Sequence, residues 1–163
     1  MIEILKVLSC SPKETEQIAM RVGGCLRPGD VVAVRGPLGS GKSVIARAIG
    51  SALGVSETMS SPSFVIIATY QGRVTVNHID LYRLSDSSEA VEAGVEEAIY
   101  SSSVSLIEWA DRIEEILPPE RLDVTIEPWK KVDQRLITLV PSGKNLKTRL
   151  GQAFEEFVRV KFK

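Results

Sequence analysis

The sequence is poor in the residues that build metal centres and disulfide frameworks. It has two cysteines, Cys10 and Cys25, and a single histidine among its 163 residues. The cysteines do not form a C-x-x-C pair, and a zinc site needs about four Cys or His ligands. These scarcities exclude a Cys/His metal centre and favour two reduced thiols in a cytosolic protein.

Long apolar runs and a strong charge of either sign are also missing. No segment approaches the roughly 20 consecutive apolar residues of a membrane span. The opening residues, MIEILKVLSC, have no basic segment before their apolar run, and Glu3 and Lys6 interrupt it. We therefore interpret them as a first strand and expect a cytoplasmic protein. The formal net charge of −1 gives no overall attraction to nucleic acid or to a membrane surface.

Strand-like and helix-like segments alternate along the chain, which predicts an α/β domain. Ser11-Pro12-Lys13-Glu14 has the pattern of a helix N-terminus with a capping box. Residues 31–34 are apolar and β-branched, as expected of a buried parallel strand. Strands over 64–70 and 74–79, with a turn at 71–72, predict a hairpin. The other predicted elements are a helix over 42–53, a helix over 87–99, a strand over 104–107, a short helix over 113–117, and strands over 122–126 and 136–140.

The length favours one domain with one core. We predict a main domain over residues 1–143 and a C-terminal helical tail over 144–163, packed on the same domain. The apolar stripe of the tail consists of Leu146, Leu150, Phe154, and Phe157 or Val158. Basic residues surround this stripe, so the tail presents either a solvated helix face or a surface for RNA or a partner protein.

Residues 36–43, GPLGSGKS, fit the phosphate-binding pattern G-x-x-x-x-G-K-[ST]. Glycines let the backbone curl so that its N–H groups point at phosphates, and the following helix adds the positive end of its dipole. Lys42 is expected to reach the β- and γ-phosphates, and the Ser43 hydroxyl to ligate Mg²⁺. The predicted nucleotide contacts are Pro37, Leu38, Gly39, Ser40, Gly41, Lys42, Ser43 and Val44.

Two acids end apolar strands where a ligand of an open α/β sheet would bind, namely Asp80 and Glu108. Either could hold Mg²⁺ directly or through water, and Glu108 could instead polarise the attacking water. A helix cap or a surface charge is the alternative for each. We predict Lys42, Asp80 and Glu108 as catalytic residues, and Ser43 with the two acids as metal ligands. The lone histidine, His78, is interpreted as structural.

Four blocks in sequence order resemble one family. They are GPLGSGKS, SPSF at 61–64, HIDLYRL at 78–84 and LIEWADR at 106–112. Their order and spacing resemble the TsaE (YjeE) family, bacterial P-loop ATPases required for the threonylcarbamoyl modification of adenosine beside the tRNA anticodon. The likeness covers roughly residues 11–140 and includes Glu14-Thr15. With the alternation of elements, it predicts a P-loop-type three-layer α/β/α sandwich, with a mainly parallel central sheet, a hairpin and antiparallel edge strands.

The resemblance implies roles for individual residues. Asp80 looks like the magnesium-associated acid, and Glu108 corresponds to the acid that ends the Walker B-like strand. Ser61 and Ser63 lie in a loop similar to a switch near the γ-phosphate, although an ordinary turn is the alternative from the residues alone. Trp109 is expected to contact the nucleotide.

The resemblance also implies ligands and partners. It implies ATP and Mg²⁺, and a cycle of ATP binding and hydrolysis that acts on TsaD, which transfers the threonylcarbamoyl group, and on TsaB, which pairs with TsaD. tRNA would be reached through that complex. Tyr82 and Arg83, with Trp109, belong to a patterned surface that could serve partner contacts. The family usually has threonine where this chain has Ser43 and Ser63, but the hydroxyl is kept.

Other functions remain open from the sequence. A small-molecule kinase needs an acceptor pocket and usually an arginine-bearing lid, and no arginine-rich insertion of that kind is present. A non-catalytic, nucleotide-gated binding module would not need Asp80 or Glu108 for turnover. A GTPase is disfavoured because the sequence has no N-K-x-D motif.

Overall fold

The computed structural model describes residues 2–60 and 65–156. Within these ranges one sheet of seven strands lies at the centre of the molecule. The strands are β1 (Leu5–Ser9), β2 (Val31–Arg35), β3 (Ile67–Gln71), β4 (Thr75–Asp80), β5 (Val104–Glu108), β6 (Leu122–Pro128) and β7 (Arg135–Pro141).

The sheet is parallel in the middle and antiparallel at both edges. Its order is β1-β7-β6-β2-β5-β4-β3. Strand β2 is parallel to both β5 and β6, and β5 is parallel to β4. The hairpin partner β3 and the pair β7 and β1 run antiparallel to their neighbours. The predicted mixed sheet is therefore confirmed, and its parallel centre brings the carboxyl ends of β2, β4 and β5 to one edge.

Helices cover both faces of the sheet. They are α1 (Pro12–Cys25), α2 (Lys42–Ala52), α3 (Ser87–Glu92), α4 (Val95–Ile99), α5 (Lys144–Ala153) and a 3-10 helix (Ala110–Ile116). Helices α1, α2 and α5 share one apolar core with the sheet. Helices α3 and α4 and the 3-10 helix share the other. This gives the three layers predicted from the sequence.

Strand β2 shows how the sequence sorts its side chains between the layers. Successive residues of a strand point to opposite faces. Val32 and Val34 belong to the core under α1 and α2, whereas Val31 and Ala33 belong to the core under α4. All four are at most 2% exposed. A continuous apolar run is what a central parallel strand requires, because both of its faces are covered.

Helix α1 begins at the predicted capping box. The Ser11 hydroxyl oxygen accepts a hydrogen bond from the Glu14 backbone N–H at 3.1 Å. The Glu14 carboxylate accepts from the Cys10 backbone N–H at 2.7 Å, one residue earlier than in the usual box. The preceding strand starts at Leu5, so the expectation that Ile2 and Ile4 lie in it is wrong.

The single helix predicted over 87–99 is wrong, because the chain forms two short helices there. Gly94 has φ +85°, a left-handed conformation that interrupts the helix. The Gly94 N–H closes α3 by donating to the Val91 carbonyl oxygen at 3.0 Å. Restarting the helix at Val95 lets Val95 and Ile99 reach the core below α4.

Two smaller expectations also change. The hairpin turn contains three residues, since Gln71 pairs with Thr75. The short helix predicted over 113–117 is a 3-10 helix that already begins at Ala110 and is kinked at Ile113, where φ is −133°.

Helix α5 packs against the N-terminal half of the chain. Leu146, Leu150 and Phe154 are buried in the same core as α1 and α2. The Arg149 guanidinium forms an ion pair with Asp30 at 2.7 Å and donates to the Cys25 carbonyl oxygen at 2.6 Å. Phe157 and Val158, the predicted end of the stripe, lie outside the described residues.

Across the described ranges, every helix is too short or too polar to span a bilayer.

Candidate functional site

The loop between β2 and α2 forms the floor of the candidate site. Strand β2 ends at Arg35, and α2 begins at Lys42. Gly41, the N-cap of α2, has φ +113° and no side chain with which to cap the helix. The first N–H groups of α2 are thus left to a ligand, which is the arrangement that binds anions at a helix N-terminus.

Gly36 lets this loop approach the neighbouring strand closely. A Cβ atom at this position would collide with the Ile126 carbonyl oxygen and with the Ser40 hydroxyl oxygen. The φ of Gly36, +156°, is also one that side chains rarely adopt. Glycine is therefore required at the start of the loop for space as well as for conformation.

The Lys42 side chain is folded over its own loop. Its Nζ donates to the Gly36 carbonyl oxygen at 2.6 Å and to the Pro37 carbonyl oxygen at 2.8 Å. The same atom lies 3.9 Å from the centroid of the Trp109 ring, within the range of a cation–π contact. Lys42 is only 5% exposed, so its ammonium group is held inside the cleft.

Burial and nearby carboxylates act in opposite directions on Lys42. Burial disfavours the charged ammonium and lowers the pKa of Lys42 below its ordinary value. Glu108, Asp111 and Asp80 attract the charge and oppose this shift, but burial has the larger effect. The cleft thus combines a desolvated cation with acids that can also serve a metal.

Ser43, Glu108 and His78 form a continuous hydrogen-bonded chain. The Ser43 hydroxyl donates to Glu108 Oε1 at 2.8 Å. The other carboxylate oxygen, Oε2, lies 2.5 Å from His78 Nε2. Glu108 is 2% exposed and His78 is fully buried. His78, interpreted from the sequence as structural, thus contacts a predicted site residue, and no spacing in the sequence indicated its contact with Glu108.

Asp80 lies at the end of β4, directly opposite Glu108 in the register of the two strands. Its Oδ1 accepts a hydrogen bond from the Tyr82 backbone N–H at 3.0 Å, so part of the carboxylate shapes the turn after the strand. Asp80 is half-buried, whereas Glu108 is buried. The two acids predicted from strand ends are thus brought to the same edge of the sheet.

These residues surround one open cleft of about 340 Å³. The cleft contains most of the predicted site residues. Its lining residues are Leu38, Gly39, Gly41, Lys42, Ser43, Val44, Asp80, Tyr82, Glu108 and Trp109. Pro37 is exposed beside the cleft and takes part through its carbonyl oxygen. Ser61 and Ser63 lie outside the described residues.

Trp109 holds an unusual backbone conformation at the wall of the cleft. It is the one non-glycine residue of the described chain with positive φ, at 59°. Its ring lies 5.2 Å from that of Tyr82, and the Arg112 guanidinium lies 5.4 Å from the Trp109 ring. Positive φ in a bulky residue stores strain, which is commonly found at functional sites.

A second cavity, of about 200 Å³, flanks the other side of the loop. It shares Gly39, Gly41 and Val44 with the first cleft. Its other lining residues are Ser11, Pro12, Thr15, Ser40, Asp133 and Arg135. Arg135 Nε donates to the Ser40 carbonyl oxygen at 3.0 Å. Of these residues, the sequence predicted only Ser40 as a nucleotide contact. Thr15 appeared in the sequence analysis only as part of the family pattern Glu14-Thr15.

The donor atoms of the first cleft suit a magnesium–phosphate complex. The Ser43 hydroxyl and the carboxylates of Asp80 and Glu108 are oxygen donors, the type that Mg²⁺ prefers. In the described part of the chain, no group of three or more His, Cys, Asp and Glu side chains could hold a metal by itself. Mg²⁺ usually needs only one or two protein ligands when phosphates and water complete its shell, so these residues fit.

Known proteins share both the sequence pattern and the fold. Residues 9–137 match the family model described as threonylcarbamoyl adenosine biosynthesis protein TsaE. The tRNA threonylcarbamoyladenosine biosynthesis protein TsaE of Bacillus subtilis is 38% identical over 140 residues, which cover 85% of this chain and 87% of the relative. The protein of the same name from Treponema pallidum is 32% identical over 122 residues, 75% of this chain and 90% of the relative.

A solved structure agrees with these relatives. The crystal structure of Bacillus subtilis YdiB superposes with a TM-score of 0.75 at 33% identity, covering 99% of this chain and 98% of that chain. The family match spans most of the chain, including the loop, both acids and Trp109. This chain belongs to the TsaE family.

Proposed function

We propose that this protein binds ATP with Mg²⁺ and hydrolyses the ATP as a component of the machinery that makes threonylcarbamoyladenosine in tRNA. The tRNA product is named in its relatives from B. subtilis and T. pallidum. The observation that supports ATP hydrolysis most strongly is one cleft in which Lys42 and Ser43 of the phosphate-binding loop face Glu108 and Asp80.

Lys42 and the backbone of the loop would hold the phosphates. The uncapped N-terminus of α2 offers N–H groups, and the Lys42 ammonium supplies a full positive charge. Phosphate oxygens would compete with the Gly36 and Pro37 carbonyl oxygens for Lys42 Nζ. A phosphate oxygen is the stronger acceptor because it is charged.

Ser43 is the proposed direct ligand of Mg²⁺, with Glu108 behind it. Because the Ser43 hydroxyl donates a hydrogen bond to Glu108, the lone pairs of its oxygen remain available to a metal. Bound Mg²⁺ would neutralise charge on the β- and γ-phosphates. Asp80, which is half-buried at the same sheet edge, would hold metal-bound water.

The second cavity is the proposed place of the nucleoside. A nucleotide is longer than its phosphates, and the two cavities meet at Gly39 and Gly41 of the loop. With the terminal phosphate near Glu108, the nucleoside end would extend towards Arg135 and Thr15. We infer ATP and not GTP as the nucleotide from the family resemblance.

The exposed rim of the cleft is the proposed contact for TsaD and TsaB. Leu38 is 74% exposed and Tyr82 is 48% exposed, although both line the nucleotide cleft. Side chains in this position can change conformation with the state of the nucleotide and so alter the surface that a partner contacts. Switch surfaces gain contacts with the γ-phosphate and lose them on hydrolysis. The chain would thereby cycle the TsaB–TsaD complex, and tRNA would be reached through that complex.

Phosphate release from ATP tests this proposal. We expect release by the purified protein that increases when TsaB, TsaD and tRNA are added. Lys42→Ala should lower the rate by roughly 100-fold or more, because it removes a charge that stabilises the transferring phosphoryl group. Lys144→Ala is the matched control, since Lys144 is an exposed lysine of α5 outside the cleft.

Two results would contradict hydrolysis. Absence of Lys42-dependent release, both alone and with the partners, would leave a nucleotide-gated binding module. Transfer of radiolabel from ATP to a small acceptor would instead indicate a kinase.

A further inference from the structure

We propose that His78 is a positioning residue: it fixes the Glu108 carboxylate so that Glu108 in turn aims the Ser43 oxygen into the cleft. This inference rests on the proposed function, because it assigns the Ser43 oxygen to a metal on the phosphates. His78 itself touches neither nucleotide nor metal in this scheme.

The register of the sheet brings His78 to Glu108. Strands β4 and β5 are parallel, and Asp80 is opposite Glu108 while His78 is opposite Leu106. Because side chains alternate between faces, His78 and Glu108 project from the same face of the sheet. Glu108 lies opposite Asp80, the residue two positions after His78. The His78 ring therefore reaches Glu108 diagonally, with Nε2 and Oε2 2.5 Å apart.

The hydrogen bonds hold the Glu108 carboxylate from both sides. Oε1 accepts from Ser43 and Oε2 faces His78. A carboxylate accepts hydrogen bonds, so the His78 ring holds Oε2 when its Nε2 carries the proton. With both oxygens occupied, rotation of the carboxylate would break one of the two bonds. Loss of the His78 bond leaves Oε2 without its partner in a buried position and frees the carboxylate to turn away from Ser43.

The other nitrogen of His78 supports the same tautomer. His78 Nδ1 is buried and has no hydrogen-bond partner in the described part of the protein. A proton on Nδ1 would be a buried donor without an acceptor. An unprotonated Nδ1 without a partner costs less free energy. We therefore assign the proton to Nε2.

Packing alone does not call for a histidine at this position. Val76 and Ile79 of the same strand are fully buried and apolar. An apolar side chain would fill the core, but it could not donate to Glu108. Donors and acceptors behind a metal ligand commonly fix its orientation, and their removal typically weakens metal binding or activity by about 10- to 100-fold.

The ring can be observed directly, because His78 is the single histidine of the chain. Nitrogen-15 NMR of the imidazole, on protein made without a histidine tag, assigns the proton to one ring nitrogen. We expect a proton on Nε2 whose resonance moves in Glu108→Ala. Glu114→Gln, at a half-exposed acid in the 3-10 helix, should leave it unchanged. A bare Nε2, or a resonance that is indifferent to Glu108, overturns the proposal.

Variants of His78 test the consequence for the metal. His78→Leu removes the donor, and His78→Gln keeps an N–H near the position of Nε2. We expect His78→Leu to raise the Mg²⁺ concentration needed for half-maximal binding of a fluorescent ATP analogue by about 10- to 100-fold. Binding of the analogue without Mg²⁺ should be unchanged, and His78→Gln should recover most of the loss.

The control is Asn77→Leu, in the same strand on the opposite face, where Asn77 is also buried and polar. It should retain the wild-type dependence on Mg²⁺. Thermal unfolding establishes that each variant is folded. A folded His78→Leu with wild-type Mg²⁺ dependence overturns the proposal. If that variant does not fold, the Mg²⁺ dependence of His78→Gln and the NMR spectrum of the wild type decide whether the proposal stands. Failure of the wild type to bind the analogue with Mg²⁺ would instead contradict the proposed function.

Discussion

At the scale of single residues, Trp109 and Lys42 illustrate how strain and burial are offset in the site. A left-handed conformation costs an L-residue about 1–2 kcal/mol. The contacts of the Trp109 ring with Lys42 and with Tyr82 recover part of this cost. The contact also gives the desolvated Lys42 ammonium an aromatic face, in addition to two carbonyl oxygens. Both residues are therefore stabilised by each other at the wall of the cleft.

The two cysteines should differ in reactivity. Burial, with a smaller contribution from the negative charge of Asp30, raises the pKa of the Cys25 thiol to about 11. A raised thiol pKa means that the reactive thiolate is scarce near neutral pH. Cys10 is exposed. We expect iodoacetamide to modify Cys10 in the folded protein and to leave Cys25 largely unmodified, as measured by peptide mass spectrometry.

Unfolding in urea is the control, because both thiols should then be alkylated. Equal rates in the folded protein would contradict the burial of Cys25.

At the scale of secondary structure elements, α5 closes the core beside α1. Leu146, Leu150 and Phe154 face this core, and the Arg149–Asp30 ion pair anchors the middle of the helix. The ion pair is bidentate and largely buried, so the cost of desolvating its two charges offsets much of their attraction. Burial of the apolar side chains is the main term, since each contributes about 1.5–3 kcal/mol when fully removed from water.

Truncation of α5 at its buried face should destabilise the whole protein. Leu150 is fully buried, so Leu150→Ala should lower the free energy of unfolding by about 2–5 kcal/mol through lost burial and a cavity. Urea denaturation measures the change. Gln152→Ala, on the exposed face of the same helix, should change it by less than about 0.5 kcal/mol. Similar effects of the two substitutions would contradict the packing of α5.

The break between α3 and α4 gives a second prediction at this scale. Gly94→Ala forces a side chain into a left-handed conformation and should lower the free energy of unfolding by about 1–2 kcal/mol. Gly24→Ala, near the exposed end of α1, meets no neighbouring atom within 4 Å and should stabilise the protein or leave it unchanged. Opposite signs in thermal unfolding are expected, and a stabilising Gly94→Ala would favour one continuous helix.

At the scale of the whole molecule, the parallel centre of the sheet assembles the site. The ends of β2, β4 and β5 lie side by side, so residues distant in the chain meet at one edge. Ser43 and Glu108 are 65 residues apart, and His78 and Glu108 are 30 apart. A ligand that contacts this edge therefore stabilises the sheet order as a whole.

Nucleotide binding should raise the melting temperature of the entire domain. ATP with Mg²⁺ at about 100 times its Kd adds about 2.7 kcal/mol to the free energy of unfolding. For a chain of this size the increase in Tm is roughly 5–11 °C. Scanning fluorimetry should show this shift for the wild type and for Lys144→Ala, and a much smaller shift for Lys42→Ala. Equal shifts in all three proteins would place the nucleotide elsewhere.

Part of the fold and of the candidate site could be predicted from the sequence, because local rules determine it. The phosphate-binding loop depends on glycines and a lysine at fixed spacing, and the start of α1 on four successive residues. Apolar runs identified β2 and β5 and placed Asp80 and Glu108 at strand ends. The helix over 87–99 was predicted as continuous from its caps, whereas the chain breaks it at the left-handed Gly94 and buries Val95 in the core.

The sequence by itself determined which residues could bind phosphate, which segments alternate, and which family the pattern resembles, since these depend on neighbours along the chain. Only the tertiary structure decided that His78 meets Glu108, that Glu108 accepts the Ser43 hydroxyl, and that a second cavity lies beside Arg135. These contacts follow from strand order and register. They therefore depend on how the whole sheet buries its apolar faces, which no short spacing in the chain encodes.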